Sequence, residues 1–137
     1  CAVAMVVVAR FVPAAHLEVP ARVPLAVLLA VIGIAVALAG VASFRTHETT
    51  MNPLAPDRSS ALVVSGIYRY SRNPMYLGFL LLLAGAGAFL SNAASALVLP
   101  AFVAYMNRFQ IAPEERALRE KFSAEFAAYA ASVRRWL

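Results

Sequence analysis

The chain has 137 residues, enough for one domain, with 62% hydrophobic and only 14% charged side chains. A soluble domain carries about 25% charged residues, and a core of this size cannot hide so much apolar surface, so the excess is expected to face lipid. The net charge of +5 then reads as basic loops meeting anionic head groups, and a nucleic-acid surface is set aside because little basic surface remains outside the membrane boundary.

The opening stretch, Cys1 to Val12, is apolar but short for a span, and reads as the tail of a transmembrane helix or as a tilted first helix. Cys1 is the only cysteine, which excludes a disulfide framework or thiolate metal cage within the chain. Its place at the first position is read as the start of a piece of a longer protein, in preference to a lipid-modified terminus. Pro13, Pro20 and Pro24 punctuate the loop after it. His16 and His47 match no zinc spacing, and no metal site is expected.

Val23 to about Phe44 holds no charged side chain, and a bilayer core needs about 20 such residues. Gly33, Gly40 and many alanines give this span a small-residue face where another helix can approach closely. From Arg45 to Pro74 the chain turns polar, and the spacing predicts a surface loop with short helical or extended pieces. Ser65-Gly66 breaks the apolar run Ala61 to Val64, so that run is not a span.

Met75 to Leu90 and Ala93 to Met106 are two more uncharged runs, split by Ser91-Asn92. At about 1.5 Å per residue each covers roughly 21 to 24 Å, as in a helical hairpin turning near the far face of the bilayer, with Pro100 expected to kink the returning helix. Pro113 opens a last helix, in which Leu118, Phe122, Phe126, Tyr129, Val133 and Trp136 keep amphipathic spacing. Its charged face predicts an interfacial position, with Trp136 beside Arg134 and Arg135 as a head-group anchor.

The expected architecture is therefore all-α and non-Rossmann. It is an integral membrane bundle of about four transmembrane helices, the first short or truncated, with a C-terminal amphipathic interfacial helix. The single domain divides into N-terminal spans (1–45), a loop (46–74), a hairpin (75–111) and the final helix (112–137). In this topology Arg10 and Arg22 fall on one side and every other Lys and Arg on the opposite side, which the positive-inside rule makes cytoplasmic.

Two polar clusters stand out. The segment Gly66 to Gly78 gathers Tyr68, Tyr70, Tyr76, Arg69, Arg72 and Asn73 at a helix entrance, with Pro74 at the first helical position and Asn73 as its N-cap. The second, Glu114-Glu115, could serve only to meet the dipole of the last helix. Both clusters lie at the cytoplasmic ends of one hairpin, so the fold should join them. Two carboxylates opposite Tyr, Arg and Asn suit a ligand with a cation, a diol and a carboxylate, a set that S-adenosylmethionine carries.

Arg72-Asn73-Pro74-Met75-Tyr76, a hydrophobic hairpin and then Glu114-Glu115 resemble the Arg-His-Pro-x-Tyr and Glu-Glu signature of membrane methyltransferases, among them isoprenylcysteine carboxyl methyltransferases and phospholipid N-methyltransferases. Gly66-x-Tyr68-Arg69, His47-x-Thr49-Thr50-x-Asn52-Pro53, Leu118, Phe122, Tyr129 and Arg135-Trp136 resemble the bacterial isoprenylcysteine-methyltransferase-like branch, and the resemblance runs from about Phe44 to Leu137.

The resemblance implies an enzyme of the bacterial inner membrane with its site on the cytoplasmic side. S-adenosylmethionine would be held by Tyr68, Arg72, Asn73, Pro74, Tyr76, Leu77, Glu114 and Glu115. On their own chemistry, His47, Asn52 and Arg108 are the candidates toward a lipophilic or amphiphilic acceptor such as an isoprenylcysteine carboxylate or a lipid amine. Asn73 stands where many relatives have His, and Asn cannot shuttle a proton near neutral pH, so only a positioning role carries over.

Methyl transfer is an in-line displacement that chiefly needs alignment and a water-poor site. Should the acceptor require a base, Glu115 is the first candidate and His47 the second. Arg108 suits an acceptor carboxylate or phosphate, or is a snorkelling arginine. Two alternatives stay open: an NADPH-dependent membrane reductase of the steroid-reductase-like architecture, and a non-catalytic helical accessory protein.

Overall fold

A computed structural model describes residues 1–46 and 62–137, and among these the regular structure is entirely helical. Helix α1 covers Ala2–Phe11, α2 Arg22–Thr46, α3 Pro74–Leu90, α4 Ala93–Ala96, α5 Val98–Tyr105 and α6 Ala112–Ser132, with a π-helical turn, Met106–Ile111, joining the last two. The loop expected at 46–74 lies largely outside the described residues. Its visible end, from Leu62, is irregular up to the short 3-10 turn Gly66–Arg69, so the apolar run there is not a span.

Arg22–Ser43, within α2, is the described helix that is long and apolar enough to cross a membrane, while Ala2–Phe11 and Pro74–Leu90 are shorter apolar helices. Val23, Val27, Leu28, Val31, Ile34 and Leu38 of α2 are all exposed. A contiguous apolar face of this kind is what water disfavours and lipid accepts.

Helices α2 and α3 run antiparallel and touch through glycine. A Cβ built on Gly78 would sit 2.6 Å from the Gly33 carbonyl oxygen, and one on Gly33 would sit 2.7 Å from that of Gly78. Gly85 similarly faces Ala26, and Gly40 faces Pro74 and Met75. The small-residue face expected of α2 is thus spent on packing within the chain. Met5 is fully buried, and its methyl comes near Gly87, which docks α1 on α3.

At one end of the bundle the loop after α1 clasps the hairpin turn. Leu17 N–H donates to the Ser91 carbonyl at 2.7 Å, and Asn92 Nδ2 donates to the Val12 carbonyl at 2.9 Å. Ser91 ends α3 in the left-handed region, and Asn92 caps α4 by accepting from Ser95 N–H at 3.0 Å. The returning run is divided at Leu97, between α4 and α5, three residues before Pro100, and Leu97 keeps helical dihedrals. Pro100 has no N–H for the carbonyl four residues back, and its ring crowds that turn.

The last helix departs from the expected continuous amphipathic rod. Ser123 has φ 32° and ψ −102°, which kinks α6 in the middle, and regular helix ends at Ser132. Val133 and Trp136 therefore lie on a non-helical tail and do not continue the apolar stripe.

Candidate active site

At the other end of the bundle, the chain enters through Gly66, whose φ of 59° suits glycine. A Cβ there would meet Ser43 Oγ at 2.8 Å, so glycine also lets the turn lie against α2. The turn carries Tyr68 inward, where it is buried, and Tyr129 Oη of α6 donates to the Tyr68 carbonyl at 2.8 Å. Ser71 is buried one turn later and accepts from Asn73 N–H at 3.1 Å.

Asn73 and Pro74 hold the N-cap and first helical positions of α3 as the sequence suggests, but the Asn73 side chain does not cap the helix. Its amide Nδ2 instead donates to the Arg135 carbonyl at 2.9 Å, and Arg72 N–H donates to the Arg134 carbonyl at 3.0 Å. The C-terminal tail takes the polar groups of the helix entrance. One turn into α3, Tyr76 Oη donates to Glu114 Oε2 at 3.3 Å. Gln110, in the π-helical turn, is a second hydrogen-bond partner of Tyr76. A π turn holds an extra residue and shifts the phase of the helix beyond it, and Glu114 and Glu115 come directly after this one.

Glu115 meets two guanidinium groups. Arg72 Nη2 lies 3.2 Å from Oε1, while Arg135 donates from Nη2 to Oε2 at 2.6 Å and from Nε to Oε1 at 3.1 Å. Bidentate pairing of this kind is directional as well as strong. Arg72 also reaches the Ala130 carbonyl with Nη1, while its buried Nε has no partner among the described residues. Trp136, read from the sequence as a head-group anchor, has its Nε1 donating to Asn107 Oδ1 at 3.1 Å.

The two neighbouring acids therefore differ. Burial pushes the Glu114 carboxyl above its ordinary value, aided by the charge of Glu115 and opposed by the bond from Tyr76. Glu115 sits between two cations. The Tyr68 phenol is pushed far up, first by burial and then by Glu114, Tyr129 and Tyr76, and burial raises Tyr129 to about 12 against the pull of Arg72. Three tyrosines and one desolvated carboxyl thus form a neutral-leaning, water-poor wall beside a cationic one.

Behind Tyr129 opens a groove of about 610 Å³, lined by Leu62, Val64, Arg69, Glu125, Tyr129 and Val133 among others. It offers an apolar floor with one cation and one carboxylate on its rim.

Of the residues singled out in the sequence, Tyr68, Arg72, Asn73, Pro74, Tyr76, Glu114 and Glu115 meet at this end of the bundle. Leu77 is buried in the first turns of α3, and its N–H donates to the Asn73 carbonyl at 2.9 Å. Arg108 is exposed on the π turn and takes no part in this network. His47 and Asn52 lie outside the described residues. Sequence reasoning places Arg69 in the helix-entrance cluster, but does not place Gln110, Asn107 or Glu125 at the site, Tyr129 among the cofactor residues, or Arg135 as the partner of Glu115. Tyr129 is signalled by its place on the stripe, which on its own indicates only packing, and by its place in the family resemblance.

A sequence model of the family described as "Phospholipid methyltransferase" matches residues 21–125. An uncharacterised protein of Haemophilus influenzae is 43% identical over 63 residues, which is 46% of this chain and the whole of that protein. No solved structure matches the chain.

Proposed function

The chain belongs to the phospholipid methyltransferase family, and from that premise we propose that it is an S-adenosylmethionine-dependent membrane methyltransferase acting on a lipophilic or amphiphilic acceptor. The observation that carries this reading is the meeting of two remote motifs, Arg72 to Tyr76 and Glu114-Glu115, in one polar cluster. In this reading α1, α2 and the hairpin of α3 with α4 and α5 cross the inner membrane of a bacterium. Arg10 and Arg22 then lie outside and the cluster faces the cytoplasm.

The residues fit the cofactor on a specific ground. Arg72 Nε is a buried donor without a partner among the described residues, and such a group calls for an acceptor such as a carboxylate. Glu114 and the oxygens of Tyr68 and Tyr76 suit the cationic and hydroxyl parts of the same molecule, and the groove beside Tyr129 has room for an adenosine or an acyl chain. Bound there, S-adenosylmethionine supplies an electrophilic methyl group on a sulfonium.

The chain's own contribution is to orient and to exclude water. Glu115, neutralised by Arg72 and Arg135, fixes the start of α6. Tyr76 and Glu114 fix a polar edge, and the buried tyrosine rings keep the site dry. Where the acceptor is an amine that must lose a proton, we assign the task to Glu114 ahead of Glu115, because burial raises the Glu114 carboxyl while the Glu115 oxygens are occupied by Arg72 and Arg135. His47, Asn52 and Arg108 stay as candidates on the acceptor side.

The test is transfer of a labelled methyl group from S-adenosylmethionine into extracted membrane lipids by the chain in native-lipid particles. Label above that of a Glu114→Gln variant supports the reading, and equal label in both sinks it.

A further inference from the structure

Resting on the proposed reading, we propose that the C-terminal tail, Val133 to Leu137, is a strap that positions the ligand site, with Arg135 as its positioning residue. Three contacts tie the tail to three separate elements. The Arg134 and Arg135 carbonyls accept from Arg72 and Asn73 at the entrance of α3, the Arg135 guanidinium grips Glu115 of α6, and Trp136 bonds Asn107 of the π turn.

The ion pair is the part that a side chain can change. Arg135 is 37% exposed and Glu115 only 12%, so the pair adds little to stability after solvent screening, yet its bidentate geometry fixes the Glu115 carboxylate in one orientation. Glu114 precedes it in the same helical turn, so the direction in which Glu114 faces Tyr76 depends on how Glu115 is held. Without Arg135, Glu115 keeps Arg72 alone and is free to rotate. The strap keeps only the Trp136–Asn107 side-chain anchor, and the carbonyls that take the Arg72 and Asn73 donors drift with it. Small losses of alignment of this kind cost far more in ligand binding than in stability.

Trp136 is the only tryptophan, so its fluorescence reports the strap whether or not ligand is present. The experiment uses the full chain in lipid nanodiscs, comparing wild type, Arg135→Ala, Arg135→Lys and Arg116→Ala. Arg116 is an exposed charge control on α6. Acrylamide quenching of Trp136 and the Kd for S-adenosylmethionine are measured on samples of equal helicity.

Arg135→Ala is expected to raise quenching and to weaken binding by about tenfold or more. Arg135→Lys should restore part of both, and Arg116→Ala should match wild type. Unchanged quenching in Arg135→Ala overturns the strap, and exposed Trp136 with binding within about twofold of wild type overturns its positioning role. A wild-type chain that binds no S-adenosylmethionine overturns the methyltransferase reading and the positioning role with it, while the quenching series still decides whether Arg135 holds the tail.

Discussion

Tyr76 and Glu114 stand 38 positions apart in the chain, and the Tyr76 hydroxyl donates to the Glu114 carboxylate at 3.3 Å. A hydrophobic hairpin leaves the polar end of the bundle between them and returns. Removing that hydroxyl alone tests what the contact does. Tyr76→Phe keeps the ring and loses the hydrogen bonds to Glu114 and Gln110, so the thermal midpoint should fall by what about 1 to 2 kcal/mol allows. Affinity for S-adenosylmethionine should fall by about tenfold, because a polar edge of the ligand site goes with it. A melt curve and a binding isotherm on the same sample separate the two effects.

Glu115 and Glu114 should respond differently to the same change. Glu115→Gln leaves the Arg72 guanidinium, which is 14% exposed, without its counter-ion, and a buried charge stripped of its partner costs about 3 kcal/mol or more. Glu114→Gln removes a charge that burial already disfavours, so its melting temperature should stay near or above that of wild type while binding is lost. Equal destabilisation by the two substitutions would mean that the acids share one role.

The raised carboxyl of Glu114 also sets a pH dependence. In the folded chain this group holds its proton to higher pH than its ordinary value of 4.5. The folded state therefore binds more protons across the window from 4.5 up to the raised value, and stability falls as pH rises through it. Stability is then level, and lower, above that window. Glu114→Gln should flatten this slope, which melts taken at several pH values between about 4 and 8 would reveal.

Gly78 offers a test of the frame that carries the site. A Cβ there would lie 2.6 Å from the Gly33 carbonyl and 2.9 Å from Ala37 N–H, both backbone atoms that cannot swing away. Gly78→Ala should cost about 3 kcal/mol by forcing α2 and α3 apart. It should weaken ligand binding as well, since Pro74 and Tyr76 sit on the displaced helix. Gly87, which meets only the flexible methyl of Met5 at 3.1 Å, should accept alanine with a loss under about 1 kcal/mol.

Much of this frame is written in residue types. Apolar runs broken by Ser91-Asn92 carry the hairpin, small residues at Gly33 and Gly78 carry the close approach, and paired acids after the returning helix carry the reunion with Tyr76. Residue types do not reveal contacts that depend on backbone acceptors or on partners remote in sequence. Asn73 reads as a cap because the signature of a cap is local, while its actual acceptor, the Arg135 carbonyl, belongs to a group every residue has. Trp136 beside two arginines reads as a head-group anchor, yet its indole N–H is taken by Asn107. The kink at Ser123 has no proline or glycine to announce it, and it removes Val133 and Trp136 from a stripe whose spacing is otherwise regular.

The central claim is that the joined cluster is a cofactor site, and titration calorimetry of the folded chain with S-adenosylmethionine and its demethylated product tests it most directly. Saturable one-to-one binding of both is expected, lost in Glu114→Ala while the helical signal persists. A wild-type chain of full helicity that gives no heat with either ligand, or a Glu114→Ala chain that binds as tightly as wild type, would contradict it.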